Sequence, residues 1–220
     1  MAVGEDEFSK ALSVLIHDLR APLSVASGYL RLIREERLTS IEDRERALNG
    51  ALEAVRRISR LCDEASEFGA LQEAGEHPTV LVAAEDLTAR VVTVLQSEGT
   101  IIEPRDVGSP GYVRLTRADR IAAAVANLLH TTLRQVSKED PVGMDVLVDD
   151  GALRFLAGTA GQRHDLTHSE ALPFDPWRGG HGLQLPIACR DLHRVSGRVW
   201  TTASARSAVG VHLPLEARAS

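Results

Sequence analysis

The stretch IHDLRAPL at residues 16–23 lies within a run of apolar residues that recur every three or four positions. This spacing is typical of the seam of a helix that packs in a bundle. The predicted seam residues are Leu12, Ile16, Leu19, Leu23, Ala26, Leu30 and Ile33. The stretch therefore predicts a long N-terminal helix, which ends in the polar segment at residues 34–40.

A second helical seam follows, with Ser40 as its predicted N-cap and Glu42 and Asp43 in its first turn. Its members are Leu48, Ala51, Val55, Ile58, Cys62 and Ala65. Two helices of about 30 residues joined by a short loop make an antiparallel hairpin, and neither can bury its whole apolar stripe against the other alone. We therefore expect a homodimer in which two hairpins form a four-helix bundle.

The helical pattern ends at a segment that contains Gly69, Gly75 and Pro78, where we place a domain boundary. Residues 1–74 form the hairpin, and residues 75–220 alternate between short strands and amphipathic helices. The predicted helices are 85–96, 117–136 and 186–195, and the predicted strands are 79–83, 100–103, 112–115, 144–148, 153–156, 198–202 and 209–213. The predicted fold class is α+β, a helical hairpin followed by an α/β sandwich domain.

The most informative side chain of the first helix is His17. It follows the seam residue Ile16 by one position, so its imidazole turns about 100° away from the core, toward solvent, where it is available as a nucleophile. Asp18 can accept a hydrogen bond from one ring nitrogen, which leaves the other with a free lone pair. Pro22 removes the donor to the carbonyl of Asp18, and Arg20 can meet phosphate or an acidic partner surface. Taken singly, each feature also fits an ordinary exposed histidine on a charged helix.

Together these residues resemble the H-box of the two-component histidine protein kinases, in which a histidine is followed by an acid, Leu, Arg, a small residue, Pro and Leu. The resemblance extends over the whole hairpin. It implies a dimerisation and histidine-phosphotransfer domain with His17 as phospho-acceptor, Asp18 as its activating acid and Arg20 beside them. It also implies a response-regulator receiver domain as partner.

The order of elements after the boundary resembles the catalytic and ATP-binding domain of the same kinases, a GHKL-type fold. Asn127 and Thr131 lie in a segment similar to the N-box, and the resemblance implies that both hold Mg²⁺, which accepts hydroxyl as well as amide oxygens. Arg134 takes the place of a phosphate-facing lysine.

Two further segments resemble nucleotide-binding boxes. Residues 174–178, FDPWR, resemble the F-box, and residues 180–187, GHGLQLPI, resemble the G2 box. The resemblance implies that Gly180, Gly182 and Leu183 bind ATP, with backbone amides approaching the phosphates ahead of the following helix.

The adenine-binding aspartate of the G1 box has no counterpart, since residues 156–162 are LAGTAGQ and the lid after them is short. Asp165, or the pair Asp149 and Asp150, remain as substitutes. Three functions stay open. We favour an ATP-dependent kinase that autophosphorylates His17 and passes the phosphoryl group to a receiver aspartate. The alternatives are a nucleotide-independent histidine phosphotransferase and a pseudokinase scaffold.

Composition narrows the remaining classes. The formal charge of −6 over 220 residues gives no broad basic field, which argues against nucleic acid as a partner. Cys62 and Cys189 have no CxxC spacing, so we expect two core thiols rather than a zinc site. No stretch approaches the roughly 18 apolar residues that a membrane span needs. We therefore expect a cytoplasmic chain without a membrane segment.

Overall fold

The structure is a computed structural model that describes residues 5–70, 78–100, 111–134, 141–149, 151–177, 181–204 and 206–216. The chain divides into two compact units, Met1–Ala74 with Trp177–Gln184, and Gly75–Pro176 with Leu185–Ser220. The short segment Trp177–Gln184 thus belongs with the hairpin by its contacts. Among the described helices, none combines the length and apolar character needed to cross a membrane.

The first unit is built on two antiparallel helices of equal length. Helix α1 spans Glu5–Arg34 and continues through Pro22, and helix α2 spans Ile41–Ala70. Ser40 caps α2, because its hydroxyl accepts the Asp43 amide N–H at 3.0 Å. The predicted hairpin is confirmed, with its turn in the polar segment between the helices.

Small residues line the contact between α1 and α2. The buried residues of the two helices are Ala11, Asp18, Pro22 and Ala26 of α1, and Ala47, Ala51, Ala54, Leu61 and Phe68 of α2. Of the predicted seam residues, Ala26 and Ala51 are buried within the chain, whereas Leu12, Ile16, Leu23, Leu30, Leu48 and Val55 are exposed in the single chain. Alanines let the two helices of one chain approach closely, and the larger apolar residues form a neighbouring stripe on each helix. Cys62 belongs to that exposed side, so its expected core position is not met within one chain, whereas Cys189 is buried as expected.

The second unit contains an antiparallel sheet. Its strands are β1 (Val80–Ala83), β2 (Tyr112–Leu115), β3 (Gly143–Asp149), β4 (Ala152–Gly158), β5 (Leu172–Pro173), β6 (Arg198–Thr201) and β7 (Val209–Glu216). The main order is β1-β2-β7-β4-β3, and β6 pairs with both β5 and β7. The central pair places Phe155 opposite Val211. The predicted strand at residues 100–103 lies outside the described residues except for Thr100.

Four helices accompany the sheet: α3 (Ala84–Ser97), α4 (Ala118–Leu133), α5 (Ala160–His168) and α6 (Gln184–Arg194). Helices α3, α4 and α6 share one apolar core with the sheet, into which β4 sends Leu153 and Phe155. Because successive side chains of a strand alternate between faces, Leu156 points to the other face, where it packs with Leu166 of α5. Strand β4 is therefore covered on both faces.

Sequence reasoning missed α5, which occupies the segment expected to hold the lid. Thr159 and Gln162 form a capping box, with the Thr159 N–H donating to Gln162 Oε1 at 2.9 Å. The buried Arg163 guanidinium donates to Asp145 Oδ2 at 2.8 Å and to the Gly158 carbonyl. These bonds fix α5 to the sheet.

Candidate functional site

His17 lies midway along α1 with 75% of its side chain exposed. Its Nδ1 lies 2.9 Å from Asp18 Oδ1, and only 3% of the Asp18 side chain is exposed. In the neutral ring, Nδ1–H therefore donates to a buried carboxylate, and Nε2 keeps its lone pair. The imidazole is held from one side and open on the other, as a nucleophile requires.

The second oxygen of Asp18 is also engaged. Its Oδ2 accepts the backbone N–H of Gly182 at 2.9 Å, within the first unit. Gly182 has a φ of +57°, and a Cβ there would collide with the Glu64 carboxylate and lie 2.8 Å from Leu61 Cδ2. Glycine is needed at this position, both for the left-handed backbone and for the close approach to α2.

Glu64 on α2 holds the residues that follow. Its Oε2 accepts the Leu183 N–H at 2.9 Å, and its Oε1 accepts the Gln184 Nε2–H at 2.9 Å. The Trp177 ring packs edge-to-face on the Phe68 ring, with centroids 6.2 Å apart. The described part of Trp177–Gln184 is therefore anchored at both of its ends on the hairpin.

The Glu64 carboxyl has a raised pKa. Burial is the main cause, and the charges of Asp18 and Glu67 add to it, while the hydrogen bonds from Leu183 and Gln184 oppose it. The carboxylate thus holds its two donors at a cost in desolvation.

This raised pKa predicts how stability depends on pH. Relative to Glu64→Gln, we expect the wild-type thermal unfolding midpoint to fall as pH rises from 4.5, the ordinary value, through the raised pKa. The reason is that the folded chain binds this proton more tightly than the unfolded chain does. Calorimetry of both proteins between about pH 4 and 7 measures the difference between their unfolding midpoints. The contributions of the other carboxyl groups are common to both proteins and largely cancel. A difference that stays constant with pH would contradict the raised pKa.

The residues predicted to hold Mg²⁺ lie one turn apart on α4, in the second unit. Asn127 is half-buried, whereas Thr131 is buried and its hydroxyl donates to the Leu128 carbonyl at 2.7 Å. Arg134 follows the helix and is exposed. The pair fits Mg²⁺ incompletely, because one of its two oxygens is turned into the helix.

The glycine segment predicted to hold phosphate is occupied by protein carboxylates. The amides of Gly182 and Leu183 donate to Asp18 and Glu64, and Gly180 lies outside the described residues. A carboxylate carries the same charge type and acceptor atoms as a phosphate oxygen, so it satisfies the amides in the same way.

The suggested substitutes for the adenine-binding aspartate have other partners. Asp165 Oδ2 accepts the Ser204 hydroxyl at 2.7 Å, and Asp149 pairs with Arg154. Asp150 lies outside the described residues. No group of three His, Cys, Asp or Glu side chains able to hold a metal occurs in the described ranges. Arg20 is exposed on α1, one turn after His17.

Sequence reasoning missed Glu64. Its position carried a signal, because it lies three residues after Leu61 and four before Phe68, which places a carboxylate beside the buried stripe of α2. Its partners lie about 120 residues later in the chain, so no local pattern could identify them.

A comparison with protein families supports the interpretation of the helical hairpin. The family described as His Kinase A (phospho-acceptor) domain matches residues 9–74. No match was found among curated protein sequences.

Solved structures share the fold, and they include the histidine kinases AdeS and ThkA and the protein ShkA. The chain is similar to the Acinetobacter baumannii histidine kinase AdeS, with a TM-score of 0.60 and 16% identity over 91% of this chain and 98% of that chain. It is similar to histidine kinase ThkA, solved with the response regulator protein TrrA, with a TM-score of 0.63 and 14% identity. The match covers 93% of this chain and 61% of the ThkA chain. For full-length ShkA, solved with AMPPNP, the TM-score is 0.54 at 21% identity. The match covers 95% of this chain and 46% of the ShkA chain.

Proposed function

We propose that the chain phosphorylates His17 from ATP and passes the phosphoryl group to a receiver-domain aspartate, since residues 9–74 match the phospho-acceptor domain family and the fold is shared with solved histidine kinases. The observation that carries the proposal is the pairing of an exposed imidazole with a buried carboxylate at 2.9 Å. ThkA was solved with a response regulator protein, which supports the same class of partner here.

The chemistry at His17 follows from its two nitrogens. Nε2 attacks the γ-phosphorus, the N–P bond forms, and the bond to the bridging oxygen breaks with ADP as leaving group. The ring becomes cationic, and Asp18 stabilises that charge through the Nδ1–H bond. In the second transfer an aspartate oxygen attacks phosphorus and Nε2 leaves as a neutral imidazole. Arg20, one turn from His17, offers a positive charge to the phosphoryl group or to an acidic partner surface.

ATP supplies the activated phosphoryl group, and ShkA was solved with an ATP analogue. We assign Asn127, Thr131 and Arg134 to the nucleotide and its Mg²⁺, with the backbone of Gly180, Gly182 and Leu183 facing phosphates. Of the Mg²⁺ ligands, Asn127 fits better than Thr131. The Gly182 and Leu183 amides must first release their carboxylates, so nucleotide and hairpin compete for them.

The chain acts as a homodimer. Exposed leucines on both helices, among them Leu23 and Leu52, form apolar stripes beside the intrachain contact. A second hairpin of the same sequence can cover these stripes, which yields a four-helix bundle.

A second candidate is a nucleotide-independent phosphotransferase, in which His17 exchanges phosphate between receivers. Two observations favour it: the Thr131 hydroxyl bonds to its own helix, and carboxylates already occupy the amides of the glycine segment.

Labelling with radioactive ATP and Mg²⁺ tests the kinase. We expect label on the wild-type chain, and for Asn127→Ala a loss of roughly a hundredfold, the order expected when groups that neutralise phosphoryl charge are removed. Gln96→Ala, which removes an exposed amide from α3, is the matched control and should keep wild-type labelling.

The second arm uses purified receiver domains charged with acetyl phosphate. If the chain takes no label from ATP but accepts it from a receiver, the phosphotransferase replaces the kinase. If it accepts from neither donor, both functions are excluded.

A further inference from the structure

We propose that Glu64 is a positioning residue for His17, acting through the Gly182-Leu183 turn rather than by touching the reacting atoms. The inference rests on the proposed role of His17 as phosphoryl acceptor, but it requires no ATP. It concerns the state in which the turn contacts the hairpin, where His17 exchanges phosphate with a donor that needs no nucleotide site.

The first step concerns Asp18. A carboxylate with 3% of its side chain exposed must satisfy its oxygens within the protein. Oδ1 receives the Nδ1–H of His17 and Oδ2 receives the Gly182 amide, so each oxygen of the carboxylate has a donor. Loss of the Gly182 donor removes one of the bonds that orient the carboxylate and weakens the bond to the ring.

The second step concerns the turn. Glu64 accepts from the next amide, Leu183, and from the Gln184 side chain. These two bonds hold the backbone at the one place where the Gly182 N–H reaches Asp18. The left-handed φ of Gly182 and its contact with Glu64 require glycine, so the turn is built to fit against α2.

The third step concerns the ring. Which nitrogen of a neutral histidine carries the proton is set by the hydrogen bond that the other makes. A fixed Asp18 holds the proton on Nδ1 and leaves Nε2 free to attack. Without it, the neutral ring shifts toward the Nε2–H form that histidine favours in water, in which the exposed nitrogen has no lone pair to donate.

The test uses the full chain with ¹⁵N-labelled histidine, and the His17→Gln spectrum identifies the His17 signals. We expect mainly the Nδ1–H tautomer in the wild type and a shift toward Nε2–H in Glu64→Ala. Glu64→Gln keeps an acceptor for Leu183 and should restore the wild-type tautomer. Asp63→Ala removes the neighbouring exposed carboxylate and should change nothing.

Phosphorylation by phosphoramidate gives the functional readout, since this donor forms the N–P bond with loss of ammonia and needs no nucleotide site. Glu64→Ala should react roughly tenfold more slowly than wild type, the order expected for losing a hydrogen bond to a charged group. An unchanged tautomer in Glu64→Ala overturns the positioning role. A shifted tautomer in a chain that no donor phosphorylates supports positioning and overturns the proposed function, so the two failures are distinct.

Discussion

Replacing His17 with glutamine is expected to leave the chain without acid-labile phosphate, whether ATP or a phosphorylated receiver is the donor. Glutamine keeps a polar side chain of similar reach but has no ring nitrogen with a lone pair, so no N–P bond can form. The expected loss is complete within the detection limit, because His17 itself supplies the nitrogen that bonds to phosphorus. It is not one of several groups that only stabilise charge.

The variant should fold as the wild type does. Three quarters of the His17 side chain is exposed, so its replacement removes little buried area. His193→Gln removes another exposed histidine, on α6, and is the matched control. Circular dichroism of the wild type and both variants checks that they fold alike, and mapping of the labelled residue shows which side chain carries the phosphoryl group. Undiminished label in His17→Gln would place the acceptor elsewhere and remove the basis of the proposed chemistry.

The hairpin could be predicted from periodicity, but its packing could not. Each helix carries two neighbouring stripes, one of alanines with Pro22 and Leu61, the other of larger residues such as Leu23 and Val55. A repeat of three and four fits both stripes equally well. The sequence therefore indicates two helices without telling which stripe packs within the chain.

In the second unit, the sequence predicted the elements with strong apolar patterns and missed those without them. The strands and helices at the core follow the predicted order because their apolar patterns are strong. Helix α5 is only weakly amphipathic, and its usable signal was the capping pair Thr159 and Gln162. The resemblance proposed Thr131 as a ligand, whereas in the structure its hydroxyl donates to the Leu128 carbonyl.

At the candidate site, the sequence could predict contacts between neighbouring residues but not contacts between residues far apart in the chain. His17 and Asp18 are adjacent, so their geometry follows from one helix. Glu64 meets Leu183 across 119 positions, and nothing in either local sequence identifies the other. Motif resemblance assigned the Gly182 amide to a phosphate, whereas in this structure it donates to Asp18.

The exposed apolar stripes predict that charge substitutions there will separate the proposed homodimer. Leu23 and Leu52 are 50% and 52% exposed, although both are large and apolar. The double variant Leu23→Asp, Leu52→Asp places four carboxylates in the dimer. Burying a leucine contributes about 1.5–3 kcal/mol, and an unpaired buried carboxylate adds a further cost. We therefore expect the dissociation constant to rise by at least roughly a thousandfold.

Sedimentation equilibrium over a range of concentrations measures this change. Ser13→Asp, Asn49→Asp adds the same number of carboxylates at exposed polar positions outside the stripes and should remain dimeric. Both variants should keep the helix content of the wild type, because the alanine contact within each hairpin is unaltered. If the leucine variant stays dimeric with unchanged affinity, the second copy does not cover these stripes, and the surface that unites the two chains lies elsewhere. If the wild type is itself a monomer at all concentrations, the four-helix bundle is excluded and each His17 works within a single hairpin.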